Sequence, residues 1–292
     1  MAVGTYDERS GRDMRIAVIG AGLMGSGIAQ VCAQNELDVI NIDTFQPAIE
    51  KAKKNVEKLF AKKIAKGSMT EAMKDDILKR LKYSTTLSDV KGTDLIIEAV
   101  PEDIEIKKET FRNLEKAADL KTIFVSNTSG LSISELAAVT KRPDKVMGVH
   151  FFYPAPVMKL VELTRGLATS DETYSFVRTF SERIKKTVVD APEYPGFIVN
   201  RILVPMQNEA AFMVMDGCKP EDVDNAMKLG ANHPMGPLEL TDFVGVDVML
   251  ATMKGLYDGF KDSKYRPCPL LETMVKAGRL GRKSGQGFYK YE

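Results

Sequence analysis

The segment Ile19-Gly20-Ala21-Gly22-Leu23-Met24-Gly25 restricts what this chain can fold into more than any other. Three glycines at this spacing arise often by chance, so their surroundings decide their meaning. They follow the β-rich apolar run Arg15-Ile16-Ala17-Val18-Ile19 and precede Met24, Ile28, Val31 and Cys32, which recur at helical spacing. A strand that turns into a helix at this point gives each glycine a task. Gly20 makes the tight turn, Gly22 lets a pyrophosphate approach the backbone, and Gly25 lets helix pack on strand; Leu23 and Met24 open the helix beside the anion. Free N–H groups and the helix dipole favour negative charge there.

Asp43 ends the second predicted strand, Asp38 to Ile42, at the position where a carboxylate accepts hydrogen bonds from an adenosine ribose. A carboxylate also repels a 2′-phosphate, which favours NAD over NADP. The same residue suits a helix cap, and the two roles are compatible.

Beyond this unit, short β-rich runs keep alternating with helical patterns, as parallel βαβ units require. A Lys-rich helical region covers Pro47 to Lys82, with a break at Gly67-Ser68. Leu95-Ile97 and Thr122-Val125 are strands on either side of a helix from Ile104 to Ala118. Ser132 and Glu135 have capping-box spacing and start another helix. Val146 to His150, Val157 to Leu163 and Thr187 to Val189 are the later strands. After the punctuated stretch Ala191-Pro192-Glu193-Tyr194-Pro195-Gly196, only helical segments follow: Phe197–Met215, Pro220–Leu229, Leu238–Leu256 and Leu270–Ala277. The expected architecture is α/β. A polar extension over residues 1–13 precedes a doubly wound sheet domain over 14–192, and an all-helical domain over 193–292 follows.

Composition excludes several classes of partner. With 41 Lys and Arg against 40 Asp and Glu, no overall field favours nucleic acid or a membrane surface. No apolar run approaches the roughly 20 residues that span a bilayer, and residues 1–13 lack the apolar centre of a signal peptide. Cys32, Cys218 and Cys268 are odd in number and far apart. They suit reduced thiols in a cytoplasmic compartment and imply no metal.

The chain has two histidines. His150 closes a predicted strand, where open α/β sheets place their ligands, and an imidazole there suits proton transfer near neutral pH. His233, between Asn232 and Pro234, belongs to a shaped loop and reads as structural or substrate-lining. Glu162 follows His150 on the next apolar run. Alternation leaves its direction open, because Leu160 shares its parity and Val161 does not. Pointing inward, it needs a partner, and a hydrogen bond to the second imidazole nitrogen fixes the tautomer; pointing outward, it is an edge-strand surface residue. Ser126-Asn127-Thr128-Ser129-Gly130 closes another strand at the same sheet edge, its hydroxyls shaping a turn or donating to a substrate carbonyl. Asn200 opens the helical domain, where a mid-helix Asn caps, faces water or makes a specific contact.

Taken together, Ile19–Gly25, Ile97-Glu98-Ala99-Val100-Pro101-Glu102, Ser126–Ser129, His150–Glu162, Pro195–Arg201, Pro234-Met235-Gly236-Pro237 and Gly281–Tyr289 give the chain a resemblance to the short-chain L-3-hydroxyacyl-CoA dehydrogenases. It runs from about residue 14 to the C-terminus and is closest to the 3-hydroxybutyryl-CoA branch. The resemblance implies a Rossmann-like NAD domain, with His150 as acid/base, Glu162 as its orienting partner, and Ser129 and Asn200 on the substrate oxygen. It places Glu102 and Lys107 on the cofactor site and brings Lys283 toward it from the helical domain. In this family the residue between Phe152 and Pro154 is commonly Asn, near the nicotinamide. Here it is Tyr153, which cannot reproduce an amide that both donates and accepts.

The lysines between Lys51 and Lys66 form a local cationic cluster for the phosphates of CoA, with Lys54 and Lys58 the candidate contacts. The resemblance further implies a homodimer, with the Met-rich segment Met206–Met215 as one candidate surface, and a place in fatty acid and butanoate metabolism. Two other readings compete: a dehydrogenase of a free hydroxy acid, of the L-gulonate type, and a protein that binds NAD(H) without catalysis.

Overall fold

Apolar runs of four to six residues become the strands of one eight-stranded sheet. The computed structural model describes residues 14–291, so the polar extension expected over residues 1–13 lies outside the described residues. The strands are β1 (Arg15–Ile19), β2 (Asp38–Ile42), β3 (Leu81–Ser84), β4 (Leu95–Glu98), β5 (Ile123–Ser126), β6 (Val146–Phe151), β7 (Leu160–Arg165) and β8 (Thr187–Ala191). Their order is β3-β2-β1-β4-β5-β6-β7-β8, and every pairing is parallel except β6 with β7. The order reverses at β1, whose neighbours are β2 and β4. A crevice at the carboxyl ends of these strands is the position where such sheets bind ligands.

The period of two in β1 distributes its side chains to both faces. Ile16 and Val18 pack with Ile28 and Cys32 of α1 (Leu23–Gln34), Phe60 of α2 (Gln46–Ala65) and Phe180 of α6 (Asp171–Arg183). Ala17 and Ile19 pack on the other face with Phe111 of α4 (Ile104–Ala117) and Ile133 of α5 (Ile133–Ala137). A sheet covered on both faces needs apolar residues at successive positions, which accounts for the unbroken apolar runs in β1, β4 and β5.

Several local expectations are corrected. The Lys-rich helical region does not reach Lys82: after α3 (Glu71–Arg80) the chain pairs as β3, with Leu81 buried against Val39. A four-residue edge strand with an exposed lysine and no Gly or Pro before it leaves no mark among helix formers. The strand expected from Val157 begins at Leu160, because residues 154–158 form a turn in which Pro154 O accepts from the amides of Val157 and Met158 at 2.9 and 3.0 Å. α6 was not anticipated, although Ser170 caps it on the Thr173 amide and Asp171 and Glu172 fill its first turn.

The described chain divides into two compact units, the first ending at Glu193 and the second starting at Tyr194. The second unit is helical: α7 (Val199–Met215), α8 (Pro220–Gly230), α9 (Pro237–Val244), α10 (Val246–Phe260) and α11 (Pro269–Lys276). The single helix expected over Leu238–Leu256 is split at Gly245, whose φ of +114° a helix cannot hold. Val204, Ala211, Met249, Met253, Leu256 and Leu271 form its core. Its last segment is tied down by the buried Asp242 carboxylate, which accepts from the amides of Phe288 and Tyr289 and from the Tyr291 hydroxyl, each at 3.0 Å.

Candidate active site

The glycine turn shows why each of its glycines is required. Gly20 has φ +100°, and a Cβ on it would lie 2.6 Å from the Ala99 carbonyl oxygen, so β1 and the end of β4 close onto each other there. A Cβ on Gly25 would lie 2.0 Å from the Gly20 carbonyl oxygen. At Gly22 the situation is opposite: no atom lies within 4 Å of a built Cβ, so the backbone is open on that side. α1 starts at Leu23 with no side-chain cap and no acid in its first turn. Its first amides are therefore available to an anion.

Asp43 follows β2 and is half-buried. Its Oδ2 accepts from the Ala21 amide at 2.8 Å and its Oδ1 from the Phe45 amide at 2.9 Å. The carboxylate thus fixes the glycine turn and retains lone pairs for a ribose. A cavity of about 860 Å³ opens here, lined among others by Gly22, Asp43, Val100, Glu102, Asn127 and Ser129; Leu23 and Met24 also face it. Turn, bare helix terminus, acid and cavity size fit an adenine dinucleotide.

The second part of the site grows from the sheet. β6 and β7 pair antiparallel with His150 directly opposite Glu162. The His150 Nδ1 lies 2.7 Å from Glu162 Oε2, both side chains being buried, so the direction of Glu162 left open by alternation is inward. Phe152 flanks the imidazole, ring centroids 4.5 Å apart. The next amide along β6, that of Phe151, donates to Asn127 Oδ1 at 2.9 Å, and Asn127 is itself part of the cavity wall. The acid/base candidate is therefore one residue from a strand end pinned to the cavity. Sequence reasoning missed Asn127, because it lies among hydroxyl residues that shape the same turn.

Behind that wall is a buried charge network. The Glu98 carboxylate accepts from Lys107 Nζ at 2.7 Å, Ser126 Oγ at 2.6 Å and the Val100 amide at 2.8 Å. Lys107 is 1% exposed and has a second carboxylate, Glu102, at 3.4 Å. Glu102 in turn accepts from Thr128 Oγ1 at 2.6 Å and from the Ser129 amide at 2.7 Å. Glu102 and Ser129 thus share the cavity wall. Lys107 stands behind it, holding Glu98 and Glu102 in place. Glu98 carried a sequence signal, an acid ending a buried strand, but only as part of a motif.

The remaining candidates occupy other places. Tyr153 is 52% exposed, in the segment after β6. Lys54 and Lys58 lie one turn apart on the exposed side of α2, with no carboxylate paired to either among the described residues. Asn200 stands in the first turn of α7, and Lys283 pairs with Asp247 at 2.5 Å, both in the second unit. Among the described residues no group of three or more His, Cys, Asp or Glu could hold a metal ion.

Two family models match successive parts of the chain. Residues 15–194 match the 3-hydroxyacyl-CoA dehydrogenase NAD binding domain, and residues 196–291 match the 3-hydroxyacyl-CoA dehydrogenase C-terminal domain. A probable 3-hydroxybutyryl-CoA dehydrogenase of Bacillus subtilis is 50% identical over 279 residues, covering 95% of this chain and 97% of that one. The human mitochondrial hydroxyacyl-coenzyme A dehydrogenase is 42% identical over 290 residues, covering 95% of this chain and 91% of that one. Among solved structures, the (S)-3-hydroxybutyryl-CoA dehydrogenase of Ralstonia eutropha superposes with a TM-score of 0.92 at 46% identity, covering 96% of this chain and all of that one.

Proposed function

The chain belongs to the 3-hydroxyacyl-CoA dehydrogenase family, and from that premise we propose that His150 is the acid/base in its interconversion of (S)-3-hydroxyacyl-CoA and 3-oxoacyl-CoA. The activity is an NAD-dependent oxidoreduction of 3-hydroxyacyl-CoA. The short-chain pair, 3-hydroxybutyryl-CoA and acetoacetyl-CoA, is the substrate class favoured by the names of the relatives. The observation that carries the reading of the site is the 2.7 Å contact between His150 Nδ1 and Glu162, at a strand end pinned to the cavity.

Bound nicotinamide supplies the two-electron chemistry at C3. In oxidation, Nε2 of His150 takes the proton of the C3 hydroxyl while Glu162 stays against Nδ1, fixing the tautomer and balancing the imidazolium charge. Ser129, in the cavity wall, hydrogen-bonds the C3 oxygen, a role that Asn200 shares on the strength of sequence resemblance. In reduction, the imidazolium returns the proton. Gly20, Gly22, Leu23, Met24, Gly25 and Asp43 hold the dinucleotide, with Glu102 on its wall. Lys107 contributes by fixing Glu102. Tyr153 and Lys283 complete the cofactor contacts by resemblance, and Lys54 and Lys58 are assigned to the CoA phosphates for their exposure on one helix side.

A homodimer in the cytoplasm belongs to the same reading. Exposed Ile202, Met213 and Met215 on α7 and Val248 on α10 support self-association through the helical unit, and sedimentation velocity tests it. The assay that tests the activity follows NADH absorbance with acetoacetyl-CoA, with free acetoacetate, and with L-gulonate plus NAD. Turnover confined to the thioester supports the reading; turnover of L-gulonate alone, or of nothing, overturns it.

A further inference from the structure

One buried cation has no carboxylate partner among the described residues. Lys186 follows α6, is 7% exposed, and directs Nζ onto two backbone carbonyls, Ala155 at 2.5 Å and Met158 at 2.6 Å. Both carbonyls belong to residues 154–158, the turn that joins β6 to β7 and therefore joins His150 to Glu162 along the chain. The next amide, that of Thr187, donates to Lys159 O at 2.7 Å and closes the same turn from its far end. On its other side the turn packs on the cofactor helix: a Cβ at Gly27 of α1 would lie 3.4 Å from both Ala155 Cβ and Pro156 Cδ. The clamp thus holds the one segment that touches α1 and connects the two strands of the proton-transfer pair.

We propose that Lys186 is a positioning residue, whose ammonium locks the 154–158 turn and thereby fixes the His150–Glu162 pair against the cofactor helix. Charge-assisted hydrogen bonds are roughly twice as strong as neutral ones, so the clamp is tightest while the amine is protonated. Burial pulls the Lys186 ammonium below its ordinary value. The titratable group facing it is the Cys32 thiol of α1, itself pushed up to about 12 by burial, and its opposing pull is smaller than the effect of burial on Lys186. The clamp is therefore one that alkaline pH loosens before an exposed lysine would titrate.

The proposal rests on the assignment of His150 and Glu162, and the two fail separately: His150→Gln turning over at the wild-type rate removes that assignment whatever Lys186 does. The test is kcat and KM against pH in the oxidative direction, with 3-hydroxybutyryl-CoA and NAD. There His150 works as a base, so its deprotonation cannot produce an alkaline loss of rate. The wild type is expected to lose kcat toward high pH. Lys186→Met should lower kcat by about tenfold or more, since small misplacements of reacting groups carry penalties of that order. Its KM for NAD should stay within about twofold, and its alkaline limb should vanish. Lys186→Arg, which keeps its charge, should retain kcat and move the limb upward. A Lys186→Met enzyme with wild-type kcat and profile overturns the proposal. So does an alkaline limb left in place by Lys186→Arg, which decides the matter even where the Met variant does not fold.

Discussion

Glu162 faces His150 across the antiparallel pairing of β6 and β7, its Oε2 2.7 Å from the imidazole Nδ1. The pair is a product of register, because these are directly opposed residues of neighbouring strands. A one-residue slip would send either side chain to the other face. It also explains why β7 runs against its neighbour: a short return after β6 brings the acid back to the histidine within twelve residues.

Glu162→Gln keeps the shape of this contact and removes its charge. The amide can donate to Nδ1 and stabilise the tautomer that leaves the proton on Nε2, the wrong one for a base. The expected result is a fall in kcat of about 10²- to 10⁴-fold, with KM for NADH little changed and the far-ultraviolet spectrum intact. His150→Gln should fall at least as far. A Glu162→Gln kcat within tenfold of wild type would remove the orienting role.

The three glycines make separable predictions. Gly25→Ala drives a methyl to within 2.0 Å of the Gly20 carbonyl, and backbone cannot yield that much, so the turn must open and the protein should unfold at lower temperature. Gly22→Ala meets nothing in the protein itself. Its melting temperature should match wild type while its Kd for NADH rises by tenfold or more, on the order expected when a ligand loses close backbone contact. Calorimetry of both variants with and without NADH separates the cases; equal effects on fold and affinity would contradict the geometry.

The sheet was legible because buried parallel strands are continuous apolar runs and the glycine turn fixes their polarity. β3 was not, since an edge strand with an exposed lysine resembles the helix before it. His150 stood out as a candidate from its place at a strand end, but the direction of Glu162 depends on the register between β6 and β7, a long-range property absent from local alternation. Lys107 comes to the cofactor site by family resemblance alone. Its burial, 1% exposed beside Glu98, is a product of tertiary packing that the local sequence does not show. Asn127 was visible only as part of the Ser126–Ser129 motif and Lys186 carried no signal, because both act on backbone atoms far along the chain.

Asp43 is braced by the amides of Ala21 and Phe45, so its replacement affects both the ribose contact and the turn. Asp43→Ser should raise KM for NADH, and the ratio of NADPH to NADH kcat/KM should rise by about tenfold or more once carboxylate–phosphate repulsion is gone. Parallel assays with the two cofactors measure this ratio. If it does not change, the carboxylate serves only the turn.

Lys107 and Glu98 form an ion pair removed from water, with side chains 1% and 0% exposed. Such a pair adds little over a well-packed apolar pair, but removing one partner strands the other charge. Lys107→Met should therefore cost about 3–5 kcal/mol in urea unfolding. The double variant Lys107→Met, Glu98→Gln should recover part of that loss, because the stranded carboxylate is gone, the amide oxygen keeps an acceptor for the Val100 amide, and the amide NH2 can donate to the Ser126 hydroxyl. NADH affinity should not follow stability: it should stay low in the double variant as well, since Glu102 loses the cation 3.4 Å away that steadies it and, through it, the Ser129 amide. A double variant restored in both stability and affinity would mean that Lys107 matters to the fold alone.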